Sequence, residues 1–519
     1  MHFLGEGSIV NISCFPLTIL RIPIMGNATQ ERSAGIVIVT QHPNGSTGLM
    51  DTEHFDVVII GGGSAGYAAA RIARATRDRV AIVDGADELG GLCILRGCMP
   101  SKTLLYTAEI YHYIRHAERF ALPAMAPHPP DMRAVRERKR RIIAEFAEHR
   151  RNQLESNRFH IFRSDGRFAD GNTLELSDGR RLTADAFVVA TGSDIQTPPI
   201  PGLAETPFLT SDDILDLDHL PASIVALGGG VVACELAQYL SRMGCQVILI
   251  QRSPQLLREY TVDSAEAIRA VFEEEGIAVY TDTAIESIAS TGDGVRVRFK
   301  HAGTTTRTVD GAALFNALGR RPSTARLNLE AAGVETTPDG RIRTDAMQRT
   351  SNPRIYAAGD CAGPHEIVHV AILQGETAAR HATGQPAEPV QYDWLTSVLF
   401  TDPQAAFAGI PEAQLRERNI AFLCAEFPFD DHGKSILMEA RHGYVKVWAE
   451  QRSGRILAAE CVGKDGGELI HALAVALPLG ATVDDLLKAH WYHPTLSEIW
   501  TYPLEELAER LNGECDRKN

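Results

Sequence analysis

Phe55-Asp56-Val57-Val58-Ile59-Ile60-Gly61-Gly62-Gly63-Ser64-Ala65-Gly66 is the stretch that decides the fold. An apolar run of strand length stops at a Gly-x-Gly-x-x-Gly turn, and an Ala-rich helical segment, Tyr67 to Ala75, follows. Strand, tight turn and helix start in that order build a cradle for a dinucleotide. The glycines let the backbone approach a pyrophosphate, and the helix N-terminus favours its charge. Gly61, Gly63, Ser64, Ala65 and Gly66 are the candidate cradle residues. The next strand, Arg79 to Val83, ends in Asp84, whose carboxylate can accept from a ribose 2′-hydroxyl.

The layout recurs. Ser223 to Leu227 runs into Gly228-Gly229-Gly230, with Ala233 at the third glycine position, so Gly228 and Gly230 are candidate contacts. Here the following strand, Gln246 to Ile250, ends in Gln251-Arg252, with Arg258 six residues on. An acceptor for a 2′-hydroxyl is gone and donors for a 2′-phosphate have arrived, which favours NADPH over NADH. Two further strand ends return to the first site. Ala186 to Val189 leads to Thr191 and Gly192, and Arg354 to Ala358 leads through Gly359 to Asp360.

Directly after the first unit stands Gly90-Gly91-Leu92-Cys93-Ile94-Leu95-Arg96-Gly97-Cys98-Met99-Pro100-Ser101-Lys102. Cys93 and Cys98 are spaced for a small dithiol/disulfide loop beside a site that can deliver electrons. A dithiol in turnover needs a base that works near neutral pH, and histidine suits that. His493 supplies one, in His493-Pro494-Thr495-Leu496-Ser497-Glu498, and Glu498 can fix its tautomer. Attack on a disulfide requires thiolate, so nearby positive charge is expected to lower the pKa of Cys93.

Composition narrows the classes. The chain of 519 residues is too long for one core and implies about three domains. A net charge of −15 argues against nucleic acid as the main partner. The basic run Arg133 to Arg141 is expected to be a solvated helix face. Nine cysteines do not make a disulfide scaffold and fit a cytoplasmic protein with one catalytic pair. The apolar run Phe15 to Ile24 is broken by Pro16, Arg21 and Pro23, too short for a bilayer and unlike a signal peptide. Residues 1–52 are expected to form a disordered extension, with no membrane segment elsewhere. No metal site is expected.

Together these motifs resemble the class I pyridine nucleotide-disulfide oxidoreductases, which include dihydrolipoamide dehydrogenase, glutathione reductase and mercuric reductase. The resemblance covers about residues 54 to 512. It implies an α/β fold: two Rossmann-like domains, for FAD and NAD(P), plus an α+β C-terminal dimerisation domain. The corresponding spans are an FAD domain over 53–200, an NAD(P) domain over 201–322, an FAD/central segment over 323–388 and a dimerisation domain over 389–512.

The resemblance also implies roles. Cys98 would be the thiol against the flavin and Cys93 the thiol that exchanges with substrate. Lys102 would lie near the flavin with Glu235 as its partner. Asp84 would hold the adenosine ribose of FAD and Asp360 its ribitol chain, while Gly319 would lie in the loop closing the NAD(P) domain. His493 would reach the dithiol of the other subunit in a homodimer. The implied activity is an FAD-dependent, NAD(P)-linked oxidoreductase acting on a small-molecule or lipoyl-linked disulfide, most like dihydrolipoamide dehydrogenase. Glutathione reductase-like and mercuric reductase-like chemistry are alternatives, as is a flavoprotein subunit without catalysis. Phe400-Thr401-Asp402-Pro403-Gln404 resembles mercuric reductase, but only Cys515 lies near the end, without a vicinal partner. Two features depart from dihydrolipoamide dehydrogenase: Leu95-Arg96 stands where Asn-Val is usual, and Arg252 points to NADPH.

Overall fold

The structure, a computed structural model, describes residues 52–123, 128–156 and 158–516, the last three by backbone alone. The extension expected over 1–52 lies outside the described residues except for Thr52, as does the side chain of Cys515.

The quoted apolar run forms the strand Thr52–Ile60, begun three residues earlier than its hydrophobicity suggests. Its partners on both sides, Val80–Val83 and Arg181–Val189, are parallel to it. Parallel strands covered on both faces need continuous apolar runs, and Val80, Ala81, Ile82 and Val83 are all buried. Seven strands make this sheet, with Ile355–Ala357 added parallel to Arg181–Val189. That addition carries Asp360 to the same sheet edge as Gly61. The helix Ser64–Arg74 covers one face and packs on Val368–Ala382.

A second, four-stranded parallel sheet runs Ala278–Tyr280, Gln246–Ile250, Ser223–Leu227, Ala313–Asn316. Its first helix, Val231–Met243, begins on Gly230, so both glycine turns end one strand and start one helix. A three-stranded antiparallel sheet, Thr283–Thr291 to Thr305–Gly311, follows it. The C-terminal region is a five-stranded antiparallel sheet, from Thr396–Leu399 to Ile456–Gly463, whose core includes Trp500 and Leu504.

The basic run lies on the helix Met132–Leu154, and it is not simply a solvated face. Lys139 is buried and bonds Asp216 at 2.8 Å, while Arg136 pairs with Asp218 at 2.9 Å. Aspartates at 216 and 218 draw these side chains inward, a contact invisible in a local charge pattern. No helix among the described residues is long and apolar enough to cross a membrane.

Candidate active site

Gly91 has φ +74°, and a Cβ there would stand 2.5 Å from the Cα of Gly63. The cysteine segment therefore lies backbone to backbone against the first glycine turn. Cys93 sits in a short helix, Gly91–Leu95, rather than in an open loop. Cys98 is the first residue of the helix Cys98–Arg115, where unpaired backbone N–H groups favour an anion. Both cysteines are free thiols, hydrogen-bonded to each other. That bond, with the charge of Lys102, holds the Cys98 thiol down at about 7, against the cost of burial. The bond to Cys98 and burial push Cys93 far up. Within one chain the thiolate is therefore favoured on Cys98, while the charges of Arg150 and Lys102 act to lower Cys93 as expected.

The glycine turn opens on a cleft of about 910 Å³ lined by Gly61, Gly62, Gly63, Asp84, Leu92 and Thr191, among others. A Cβ on Gly66 would meet the Gly61 carbonyl oxygen at 1.8 Å, so strand and helix pack as closely as backbone allows. Asp84 Oδ2 accepts from Gly62 N at 2.8 Å and Oδ1 from Ala86 N at 2.9 Å. Asp360 accepts from Ser193 Oγ at 2.6 Å. Gly192 lines the same wall, and Thr191 Oγ1 beside it is buried without a hydrogen-bond partner. An elongated cleft with a glycine turn, an acid near one end and an orphaned hydroxyl in its wall fits FAD.

Lys102 Nζ bonds Glu235 Oε2 at 2.8 Å and lies 4.6 Å from the Phe400 ring centroid. Glu235 is 3% exposed, and its Oε1 accepts from Phe400 N at 3.0 Å. This carboxylate ties the cysteine helix, the second glycine helix and the C-terminal region together. At the second turn, Gly228 has φ +111° and a Cβ would meet the Ala317 carbonyl oxygen at 2.3 Å. Around Gly230 the space is open. Gly319, at φ +105°, precedes Arg320, which bonds Ser193. Arg252 is exposed and makes no ion pair among the described residues, but Arg258 forks onto Glu259. Of the two expected phosphate donors, only Arg252 is free of a carboxylate.

His493 Nδ1 lies 3.0 and 2.9 Å from the two carboxylate oxygens of Glu498. Glu498 is buried while His493 is exposed. An acceptor-only carboxylate makes Nδ1 the donor, leaving Nε2 free to take a proton. The sequence pattern did not single out His432, which is fully buried with Nε2 3.5 Å from Glu498 Oε1. It also did not single out Arg150, whose charge acts on Cys93. Neither has a local signal; each is brought in by folding.

The model described as pyridine nucleotide-disulphide oxidoreductase matches residues 55–375, and that of the corresponding dimerisation domain matches 395–503. A mercuric reductase of Bacillus cereus is 33% identical over 445 residues, covering 86% of this chain and 70% of that one. A dihydrolipoyl dehydrogenase of Chlamydia trachomatis is 31% identical over 457 residues, covering 86% and 96%. The crystal structure of LpdA from Mycobacterium tuberculosis matches with a TM-score of 0.78 at 27% identity, covering 88% of this chain and 99% of that one.

Proposed function

The chain belongs to the pyridine nucleotide-disulphide oxidoreductase family, and on that premise we propose that Cys93 and Cys98 are its redox pair, with His493 as the acid/base. The protein is an FAD-dependent, NAD(P)-linked disulfide oxidoreductase with two Rossmann-like regions and a dimerisation domain, and that domain implies a homodimer. One observation carries the residue assignment: the segment bearing the free thiols Cys93 and Cys98 packs backbone to backbone against the first glycine turn.

FAD, when bound, accepts hydride from the reduced nicotinamide and supplies two electrons for reduction of the disulfide. Gly61, Gly63, Ser64, Ala65, Gly66, Asp84, Thr191, Gly192 and Asp360 would hold it. Gly228, Gly230, Arg252 and Gly319 would hold the nicotinamide cofactor, with NADPH preferred. Lys102, fixed by Glu235, keeps positive charge beside Cys98.

In the reductive direction the reduced pair begins as the Cys93 thiol and the Cys98 thiolate. Cys93 gives its proton to Nε2 of the partner subunit's His493, and the resulting thiolate attacks one sulfur of the substrate disulfide. The Cys93–substrate bond forms, the substrate S–S bond breaks, and the first thiolate leaves. The partner subunit's His493 donates a proton to it. Cys98 thiolate then attacks Cys93 Sγ, closing the protein disulfide and expelling the second thiolate, which takes a proton from solvent. Glu498 keeps each imidazole turned so that Nε2 faces the exchange. The substrate is a small-molecule or lipoyl-linked disulfide, and a cytoplasmic setting fits a consumer of reduced nicotinamide.

Anaerobic oxidation of NADPH and NADH with lipoamide, glutathione disulfide and Hg(II) tests this. A disulfide should be turned over, and Cys93→Ala or Cys98→Ala should abolish it. Activity with Hg(II) alone, surviving Cys93→Ala, would overturn the assignment.

A further inference from the structure

We propose that Arg150 binds an anionic group, a carboxylate, on the substrate whose disulfide exchanges with Cys93. The inference rests on the redox-pair reading above and names the substrate class for that site.

Arg150 lies on the helix Met132–Leu154, which packs against the short helix carrying Cys93. Its guanidinium stands over the ring of Tyr67, 4.1 Å from the centroid. Tyr67 is the residue after Gly66 in the first glycine turn. The stack therefore lies where the helix of the glycine turn, the dithiol helix and Met132–Leu154 meet. Arg150 Nη1 is buried and has no hydrogen-bond partner. Three other cations on this helix are compensated: Arg136 by Asp218, and Lys139 and Arg140 by Asp216. Arg150 pairs with no carboxylate among the described residues.

A half-buried guanidinium without an anion is costly to keep. Stacking on an aromatic face offsets part of that cost through the ring quadrupole but leaves the buried Nη1 unsatisfied. It also fixes the plane of the fork, the geometry that recognises a carboxylate bidentately. The same charge acts to lower Cys93, so it favours the attacking thiolate as well. A neutral disulfide or a soft metal cation would leave the fork unpaired. A small disulfide bearing a carboxylate would satisfy it.

Lipoate and lipoamide share one dithiolane ring and differ only in carboxylate against carboxamide. The experiment compares their reduction by the holoenzyme and by Arg150→Gln and Arg150→Lys variants. The lipoate-to-lipoamide ratio of kcat/KM should fall about ten- to hundred-fold in Arg150→Gln, the range a charge-assisted hydrogen bond supplies. The loss should lie chiefly in KM for lipoate, and Arg150→Lys should recover part of it. A second readout needs no turnover: alkylation of the dithiothreitol-reduced cysteine pair by iodoacetate against iodoacetamide. Arg150→Gln should slow the anionic reagent selectively. Equal losses with both dithiolanes, or an unchanged alkylation ratio, would overturn the proposal. If wild type reduces neither dithiolane nor glutathione disulfide, the disulfide reading itself falls, and the alkylation ratio still decides the role of Arg150.

Discussion

Glu498 stands between two imidazoles: it holds His493 Nδ1 at 2.9 Å and faces His432 Nε2 at 3.5 Å. Ser435 Oγ lies 2.8 Å from His432 Nδ1. His432 Nε2 is buried without a hydrogen-bond partner and stands 3.5 Å from the Glu498 carboxylate. Burial lowers the pKa of His432, which keeps the ring neutral. A neutral imidazole packed against Glu498 helps hold the acid that orients His493.

Removing the base should be severe. His493→Ala should lower kcat for disulfide reduction by about a hundred- to ten-thousand-fold, the usual worth of a positioned acid/base. His432→Ala should lower kcat a few-fold with KM for the nicotinamide unchanged, and His432→Asn should recover part of it. Steady-state kinetics read both. An unaltered kcat in His432→Ala, with the fold intact by circular dichroism, would show that Glu498 needs no second support.

The two thiols should titrate far apart. Cys98 is held at about 7 by the hydrogen bond from Cys93 and by Lys102, while Cys93 is pushed up. Thiolate ultraviolet absorbance of the reduced protein should therefore show one step near neutrality, absent in Cys98→Ser. Cys93→Ala removes the donor and should move that step upward. The sign for stability follows. Because the folded pKa of Cys98 lies below its ordinary value near 9, its contribution is complete above that value. It is lost as the pH falls through about 7. The melting temperature difference between wild type and Cys98→Ser should shrink over that window.

FAD binding should depend on backbone contact. A Cβ on Gly66 would meet the Gly61 carbonyl oxygen at 1.8 Å, and one on Gly61 the Ala190 carbonyl oxygen at 2.4 Å. Neither neighbour is a flexible side chain that can yield. Gly61→Ala and Gly66→Ala should each yield protein with little or no flavin in the heat-released supernatant. Wild type should release one FAD per chain.

What was legible follows from how local each signal is. Ser223–Leu227 and Gln246–Ile250 match the expected strands residue for residue, because the first apolar run stops at a glycine turn and the second starts just past the Gly244 helix cap and stops at polar Gln251-Arg252. Thr52 to His54 are exposed and carry no apolar signal, yet they pair with Arg181, Leu182 and Thr183, with His54 Nδ1 also 3.2 Å from Thr183 Oγ1. That Cys98 opens a helix, whose unpaired N–H groups favour a thiolate there, was not legible in the cysteine spacing. His432 and Arg150 were missed because each gains its meaning from residues distant in sequence, Glu498 and Tyr67.

The last prediction concerns the nicotinamide cofactor. Gln251 stands at the end of its strand where an acid would favour NADH, and its amide turns to the Gln255 carbonyl at 3.4 Å. Arg252 is exposed with no partner among the described residues, whereas Arg258 spends its fork on Glu259. Selectivity for a 2′-phosphate should therefore rest on Arg252 alone. One charge-assisted contact is worth about 1.5–3 kcal/mol, or about ten- to a hundred-fold in kcat/KM for NADPH over NADH. Because Arg252 is exposed and salt screens it, the lower end of that range is expected. Arg252→Ala should erase the preference by weakening NADPH and leave NADH nearly unchanged. Arg258→Ala should change neither, since it removes a guanidinium already neutralised. A wild-type enzyme that uses NADH as well as NADPH would show Arg252 to be solvated and idle.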